Sequence, residues 1–187
     1  MSTILKIFLQ TRVRRFNNDY YLRVLQCCTP RLAKRNEILL RPGQISRSIY
    51  FVNKGCIRTY STNNEGIGST LDFAFEGTFN MLLPPFFCQE ISNHYLQAVE
   101  ESELFAIRFE DFRCLGRIIP DFHWSRWAYP VENAWVLQGQ INVMNALERY
   151  LWLLENRPEI VRRINGKLIA SYLGMTTRTL SRVRAQI

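Results

Sequence analysis

The chain has no apolar stretch long enough to span a membrane, no CxxC pair, only two histidines, and not one carboxylate side chain after Glu159. Each absence removes a class of function. A transmembrane helix needs about twenty consecutive apolar residues. The apolar start, Ile4, Leu5, Ile7, Phe8 and Leu9, is interrupted by Lys6 and followed rather than preceded by Arg12, Arg14 and Arg15, the wrong order for a secretory signal. The five cysteines, Cys27, Cys28, Cys56, Cys88 and Cys114, are odd in number and scattered, which predicts reduced thiols and a cytoplasmic protein without membrane attachment. His94 and His123 cannot supply the histidine-rich ligand set of a metal-dependent barrel enzyme. Paired carboxylates such as Glu100-Glu101 and Glu110-Asp111 read as solvated turns, and no nucleophile, base and orienting acid form a set. No enzymatic activity, catalytic residue, metal or cofactor is expected.

The 187 residues carry a formal charge of +8 and are 47% hydrophobic, enough for one ordinary domain and a smaller one. The charge is unevenly spread. Residues 1–41 hold Lys6, Arg12, Arg14, Arg15, Arg23, Arg31, Lys34, Arg35 and Arg41 against Asp19 and Glu37. Between Thr59 and Phe112 only Arg108 is basic, while Glu65, Asp72, Glu76, Glu90, Glu100, Glu101, Glu103, Glu110 and Asp111 are acidic. An acidic middle repels polyanions, so any nucleic-acid contact belongs to the C-terminal end.

From Glu37 to Phe109 short apolar runs alternate with turn residues. Strands are predicted over 38–40, 48–52, 56–60, 69–73, 95–99 and 104–108, punctuated by Arg41-Pro42-Gly43, Asn53-Lys54-Gly55 and Asn63-Asn64-Glu65-Gly66. Repeated strands of that length with Gly and Pro between them indicate a sandwich or jelly-roll barrel. Beyond Pro120 the period becomes helical, with Trp135, Val136, Ile141, Val143, Met144, Leu147, Tyr150, Leu151 and Leu154 spaced three and four apart, and Pro130 in or near the start of the helix. Residues 1–120 are therefore expected to form a sensor barrel, 121–145 a connecting helix, and 146–187 a helical domain, an α+β architecture overall.

The last segment, Gly166 to Ile187, has the spacing of two short helices locked around a tight turn. Ala170 is small enough for a close crossing, Gly174 permits a positive φ, and Ile169, Leu173, Met175, Leu180 and Val183 form the shared core. Lys167, Thr176, Thr177, Arg178, Ser181, Arg182 and Arg184 are left outward, a set of hydroxyl, ammonium and guanidinium donors suited to phosphates and to guanine edges. Such a surface predicts double-stranded DNA as partner. A solvated basic face or a protein-binding helix is the alternative, in which the protein is a small-molecule-binding barrel whose helical tail mediates protein contacts. One short helix reads few base pairs, so a homodimer is expected, its seam along Trp135, Val136, Leu137 and Ile141. Because the chain stops at Ile187, the second helix is expected to supply most of the groove contact.

A barrel, a connecting helix and a C-terminal helix-turn-helix, in that order, resemble the Crp/Fnr family of bacterial transcription regulators. The resemblance rests on Arg41-Pro42-Gly43, Ile49 to Gly55, Phe75-Glu76-Gly77-Thr78-Phe79, Glu148 to Glu155 and Ile169 to Arg182, the last two similar to the branch common in Bacteroidetes-type bacteria. It implies a cyclic-nucleotide-binding-like jelly-roll barrel, sequence-specific DNA binding, dimerisation and RNA polymerase as a further partner. The effector region departs from the cyclic-nucleotide-binding members, which hold the ribose with a glycine-glutamate pair and the phosphate with an arginine. Here the corresponding stretch is Phe79-Asn80-Met81-Leu82-Leu83-Pro84-Pro85-Phe86-Phe87, followed by Ser92-Asn93. A buried phosphate needs charge-assisted donors to offset its desolvation, and this stretch has none, so cyclic AMP is not the expected effector. Phe79, Asn80, Met81, Leu82, Ser92 and Asn93 are the candidates for a different small-molecule effector pocket, with a core-filling loop as the equal alternative over Met81 to Phe87.

Overall fold

The computed structural model describes residues 2–13, 15–63, 65–80, 82–119 and 143–187. The expected connecting helix, Pro130 and the dimer seam at Trp135, Val136, Leu137 and Ile141 lie outside the described residues. Among those described, the order is α1 (Thr3–Arg12), α2 (Asn18–Gln26), β1 (Cys28–Ala33), β2 (Ile38–Leu40), β3 (Ser48–Lys54), β4 (Ile57–Thr62), β5 (Gly68–Ala74), β6 (Phe79–Asn80), α3 (Leu83–Phe87), β7 (Tyr95–Ala98), β8 (Ser102–Arg108) and α4 (Phe109–Ile118). Four short helices close the chain: α5 (Ala146–Asn156), α6 (Pro158–Arg163), α7 (Gly166–Tyr172) and α8 (Thr177–Arg184). No described helix is long and apolar enough to cross a membrane.

Two four-stranded sheets, ordered β1-β8-β3-β6 and β2-β7-β4-β5, make a jelly-roll-like sandwich. The chain divides into two compact units, Met1–Arg58 with Ala74–Glu132 and Thr59–Phe73 with Asn133–Ile187. Most of the sandwich is in the first. The outer part of the β4–β5 hairpin belongs to the second, with the C-terminal helices.

Strand β3 explains the architecture of the first unit. It reads Ser-Ile-Tyr-Phe-Val, apolar on both faces, and both faces are covered. Ile49 and Phe51 point to a cluster built with Leu5, Phe8 and Leu9 of α1, Val24 of α2 and Phe112 and Leu115 of α4. Tyr50 and Val52 point the other way, into the sandwich with Leu40, Ile57, Leu96 and Leu104. Register is fixed through β8, where Phe51 opposes Phe105 and Val52 opposes Leu104. Helices α1 and α2 start at side-chain caps, Ser2 accepting from the Leu5 amide at 3.1 Å and Asn17 from the Tyr20 amide at 2.9 Å. Between β3 and β4 the chain turns at Gly55, whose φ is +99°. A Cβ there would lie 2.8 Å from the Glu101 carbonyl oxygen, so both the backbone angle and the space require glycine.

Each strand predicted from the apolar runs is present, with ends shifted by up to two residues. The structure adds α1, α2, β1 and β6. Within the stretch for which a loop is one expectation, Leu83–Phe87 is helical, with Pro84 and Pro85 in its first turn, where a missing N–H is tolerated. The helical run predicted to continue through Leu154 starts anew at Asn145. That side chain accepts from the Leu147 and Glu148 amides at 3.0 Å while Glu148 accepts from the Asn145 amide at 2.8 Å, a reciprocal capping box.

Candidate nucleic-acid interface

Within the second unit, α7 and α8 meet across a turn formed by Leu173 to Thr176. Asn165 caps α7 by accepting from the Leu168 amide at 3.0 Å, and Thr176 caps α8 by accepting from the Thr179 amide at 3.1 Å. Gly174 takes φ +62°, and the Met175 amide returns to the Ala170 carbonyl at 2.9 Å. Ile169, Ala170, Leu173, Leu180 and Val183 are buried, as their spacing requires, and Met175 is half-buried.

A residue outside the expected set holds this corner together. Arg149 of α5 donates from Nη1 to the carbonyls of Leu173 at 3.0 Å and Gly174 at 3.5 Å, and from Nε to the Met144 carbonyl at 2.9 Å. It places a positive charge on the carbonyl-rich end of α7, where the helix dipole favours a cation. A Cβ on Gly174 would come within 3.3 Å of Arg149 Nη1, so the glycine serves both its own φ and the guanidinium above it.

All seven expected contact residues, Lys167, Thr176, Thr177, Arg178, Ser181, Arg182 and Arg184, are exposed, yet they are not equivalent. Thr176 already spends its hydroxyl on the cap. Arg184 donates from Nε to the Tyr150 hydroxyl at 3.2 Å and lies over that ring at 5.5 Å, so it fastens α8 to α5. Thr177, Arg178, Ser181 and Arg182 remain as one outward ridge of α8, opposite the buried Leu180 and Val183. Lys167 stands in the first turn of α7.

The same unit contains a half-buried ion pair. Arg157, the residue between α5 and α6, reaches Asp72 Oδ1 at 3.3 Å, Glu159 Oε1 at 2.7 Å and the Phe73 carbonyl at 2.8 Å. Burial pushes the Asp72 carboxyl above its usual range against the pull of Arg157. Burial also pulls the guanidinium down, but Asp72, Tyr172 and Glu159 together outweigh it and Arg157 stays charged. Tyr172 packs its ring 5.5 Å from that of Phe73, and burial pushes its hydroxyl up.

In the first unit the expected effector residues separate. Phe79 turns its ring into the aromatic cluster, 5.3 Å from Phe8 and 5.0 Å from Phe51. Leu82 packs in the sandwich core, and Asn80 is buried on β6. Ser92 closes a turn, accepting from the His94 amide at 2.9 Å and donating to the His94 carbonyl at 3.0 Å, while Asn93 is exposed. Met81 lies outside the described residues. None of the five described residues lines a cavity found elsewhere among the described residues of the sandwich. That cavity, about 510 Å³, lies against the β2–β3 loop, with Leu39, Leu40, Ile45 and Leu96 as apolar wall and Gln44, Ser46, Arg47, Ser48 and Tyr50 as polar groups. Arg31 donates to the Tyr50 hydroxyl at 3.0 Å and to Glu37 at 3.0 Å, so the tyrosine is held from behind.

Comparison with known proteins bears on both units. Residues 30–117 match the family model of the cyclic nucleotide-binding domain. None of the curated proteins matches the sequence. Among solved structures, the c-di-GMP-responsive global regulator CLP of Xanthomonas campestris is 16% identical over 91% of each chain, with a TM-score of 0.69. A CooA variant from Carboxydothermus hydrogenoformans is 17% identical, with 95% of this chain and 86% of that chain covered and a TM-score of 0.69. A Crp/Fnr-family transcriptional regulator from Eubacterium rectale, so described provisionally, is 18% identical over 95% and 85%, with a TM-score of 0.63. Residues 30–117 are thus similar to a cyclic nucleotide-binding domain, and the chain shares its fold with Crp/Fnr-type regulators.

Proposed function

We propose that the protein is a cytoplasmic, sequence-specific DNA-binding transcription regulator of the Crp/Fnr type, with α7 and α8 as its helix-turn-helix. The observation that carries this reading is the ridge of α8. Thr177, Arg178, Ser181 and Arg182 are exposed on one side while Leu180 and Val183 are buried on the other, in a segment with no carboxylate after Glu159. An arginine in the major groove donates two bonds to guanine O6 and N7, and the neighbouring hydroxyls reach phosphates or bases. Lys167 neutralises a phosphate. The protein reads a pseudo-palindrome as a homodimer, half-sites about one helical turn apart, and works with RNA polymerase.

The effector is a small molecule other than cyclic AMP, and its site is the cavity beside the β2–β3 loop. Its lining mixes four aliphatic side chains with five polar ones, Arg47 among them, and the reading against cyclic AMP rests on the Phe79 to Phe87 stretch, which offers no charge-assisted donor to a cyclic phosphate.

Selection of bound duplexes from a random DNA pool tests the reading. A two-fold symmetric motif should be enriched at moderate salt; an unenriched pool would remove the main support. In the same assay, Arg182→Ala should weaken specific binding by about 1–3 kcal/mol and relax preference at a single base position, as expected for loss of a bidentate guanine contact. Full affinity and selectivity in folded Arg178→Ala and Arg182→Ala proteins would show that the ridge is not the reading surface.

A further inference from the structure

Strand β5 is the outer strand of its sheet among the described residues, so its free edge carries backbone groups that need partners. In the second unit the C-terminal helices supply them. Ser171 of α7 accepts from the Thr70 amide at 2.9 Å and donates to the Gly68 carbonyl at 2.9 Å. One hydroxyl thereby satisfies two groups two residues apart, as a neighbouring strand would. Farther along β5, Arg157 takes the Phe73 carbonyl and the Asp72 carboxylate, and Tyr172 covers the Phe73 ring. Thr70, Phe73 and Tyr172 are all almost fully buried. The grip runs along the strand and does not rest on its tip.

We infer that β5 is the seat on which the DNA-reading helices are oriented, with Ser171 and Arg157 as positioning residues for DNA binding; this rests on the function proposed above. Helix α7 is fixed to α8 through the Gly174 turn and a shared core, so a change in how α7 sits on β5 moves the α8 ridge with it. The ridge stays exposed while the hairpin is seated, so the seated arrangement is compatible with DNA. It is the reading-competent one. A helix pair released from its seat has to be ordered again on binding, which reduces apparent affinity in proportion to the competent fraction.

Ser171→Ala tests this, because alanine favours the helix and removes only the hydroxyl's contacts with Gly68 and Thr70 of β5. Affinity for the selected motif should fall roughly tenfold, with the slope of log affinity against log salt unchanged, since no phosphate contact is lost. The cysteine pair Thr70→Cys with Ser171→Cys, made in a background with both exposed thiols removed by Cys88→Ser and Cys114→Ser, provides the converse. The two hydroxyl oxygens lie 3.2 Å apart, so the replacing sulfurs are placed to bond. Closed by oxidised glutathione the pair should restore the wild-type affinity, and reduced it should behave like Ser171→Ala. Hydrogen exchange gives a readout independent of DNA: Ser171→Ala should speed exchange in α8 as well as in β5.

Unchanged exchange in α8 with faster exchange in β5 would overturn the inference, as would tighter DNA binding by the reduced pair than by the closed one. Failure of the wild-type protein to select any motif would instead refute the DNA-binding reading, and the exchange result would still decide whether β5 orients α8.

Discussion

The two units are held by different means. In the first, aromatic side chains fill the space between β3 and the helices: Phe8, Phe51 and Phe79 meet within 5.5 Å of one another, and Phe86 stands 5.5 Å from both Phe109 and Phe112. Large rings buried edge to face stabilise by area and are insensitive to any one hydrogen bond. In the second unit the buried side chains on α6 to α8 are mostly aliphatic, and the geometry is set by Arg149, Arg157 and Arg184, each ending on a carbonyl, carboxylate or hydroxyl of another element. A small core cannot fix orientation by volume alone, and a guanidinium with several donors in a rigid plane can. A surface that must present Arg178 and Arg182 at a set angle is therefore built on directional bonds.

This contrast can be broken by deletion in each unit. The largest effect is expected for Phe51→Ala, which empties a fully buried site touching two other rings. It should destabilise by about 3–5 kcal/mol in denaturant titration, with exchange accelerated across β3 and α1. A loss under about 1 kcal/mol would mean that the aromatic cluster is loosely packed. Next is Arg149→Met, similar in length but without donors, which strands the Leu173 and Met144 carbonyls and should cost about 1–3 kcal/mol, localised by exchange to α7 and α8. Arg149→Lys restores the charge without the fork and should recover less than half of that loss, whereas full recovery would make charge the whole explanation. Asn145→Ala removes the capping box of α5 and should cost about 1 kcal/mol, with fraying confined to the first turn of that helix.

The same contrast decides what the sequence makes legible. Burial leaves a periodic trace: the strands of residues 38–108 follow from alternation and glycine turns, and the α7–α8 corner from Ile169, Ala170, Leu173, Gly174, Leu180 and Val183. Directional contacts leave almost none. Nothing about Ser171 announces a bond to Thr70 and Gly68, because the partners are a hundred positions away and serine inside a helix is ordinary. Nor does Arg157 differ in sequence from its exposed neighbours Arg162 and Arg163. Strand β1 escapes notice because Thr29-Pro30-Arg31 does not alternate, and proline is tolerated there only because β1 lies at a sheet edge. The capping box at Asn145 was readable, an Asn followed three residues later by Glu, but an unbroken apolar period around it masks the signal. The cavity is lined in large part by the loop between β2 and β3, residues 43–47, which carries no periodicity.

The smallest effect sharpens the comparison from the acid–base side. Cys28 sits at the start of β1, packed against the aromatic cluster, and burial, reinforced by the neighbouring Cys27 and by Asp111, pushes its thiol from 9.0 up to about 12. The folded protein therefore keeps a proton that the unfolded chain releases above about pH 9, and it binds more protons throughout the interval up to 12. Stability contributed by the buried neutral thiol is complete below that window and is lost as pH rises through it. Linkage limits the slope from one such group to about 1.4 kcal/mol per pH unit, and between pH 8 and 10 the total change should stay at about 1.4 kcal/mol or less. Tyr172 in the second unit has the same sign, its hydroxyl raised by burial, so wild-type protein should lose stability on the alkaline side in both units. The distinguishing measurement is the Cys28→Ala protein. Its denaturation midpoint should fall less steeply from pH 8 to 10 than that of the wild type, with the difference localised by exchange to β1 and its neighbours. Parallel slopes in the two proteins would show that the Cys28 thiol titrates as freely in the folded state as in the unfolded one, and that the aromatic packing around β1 admits water.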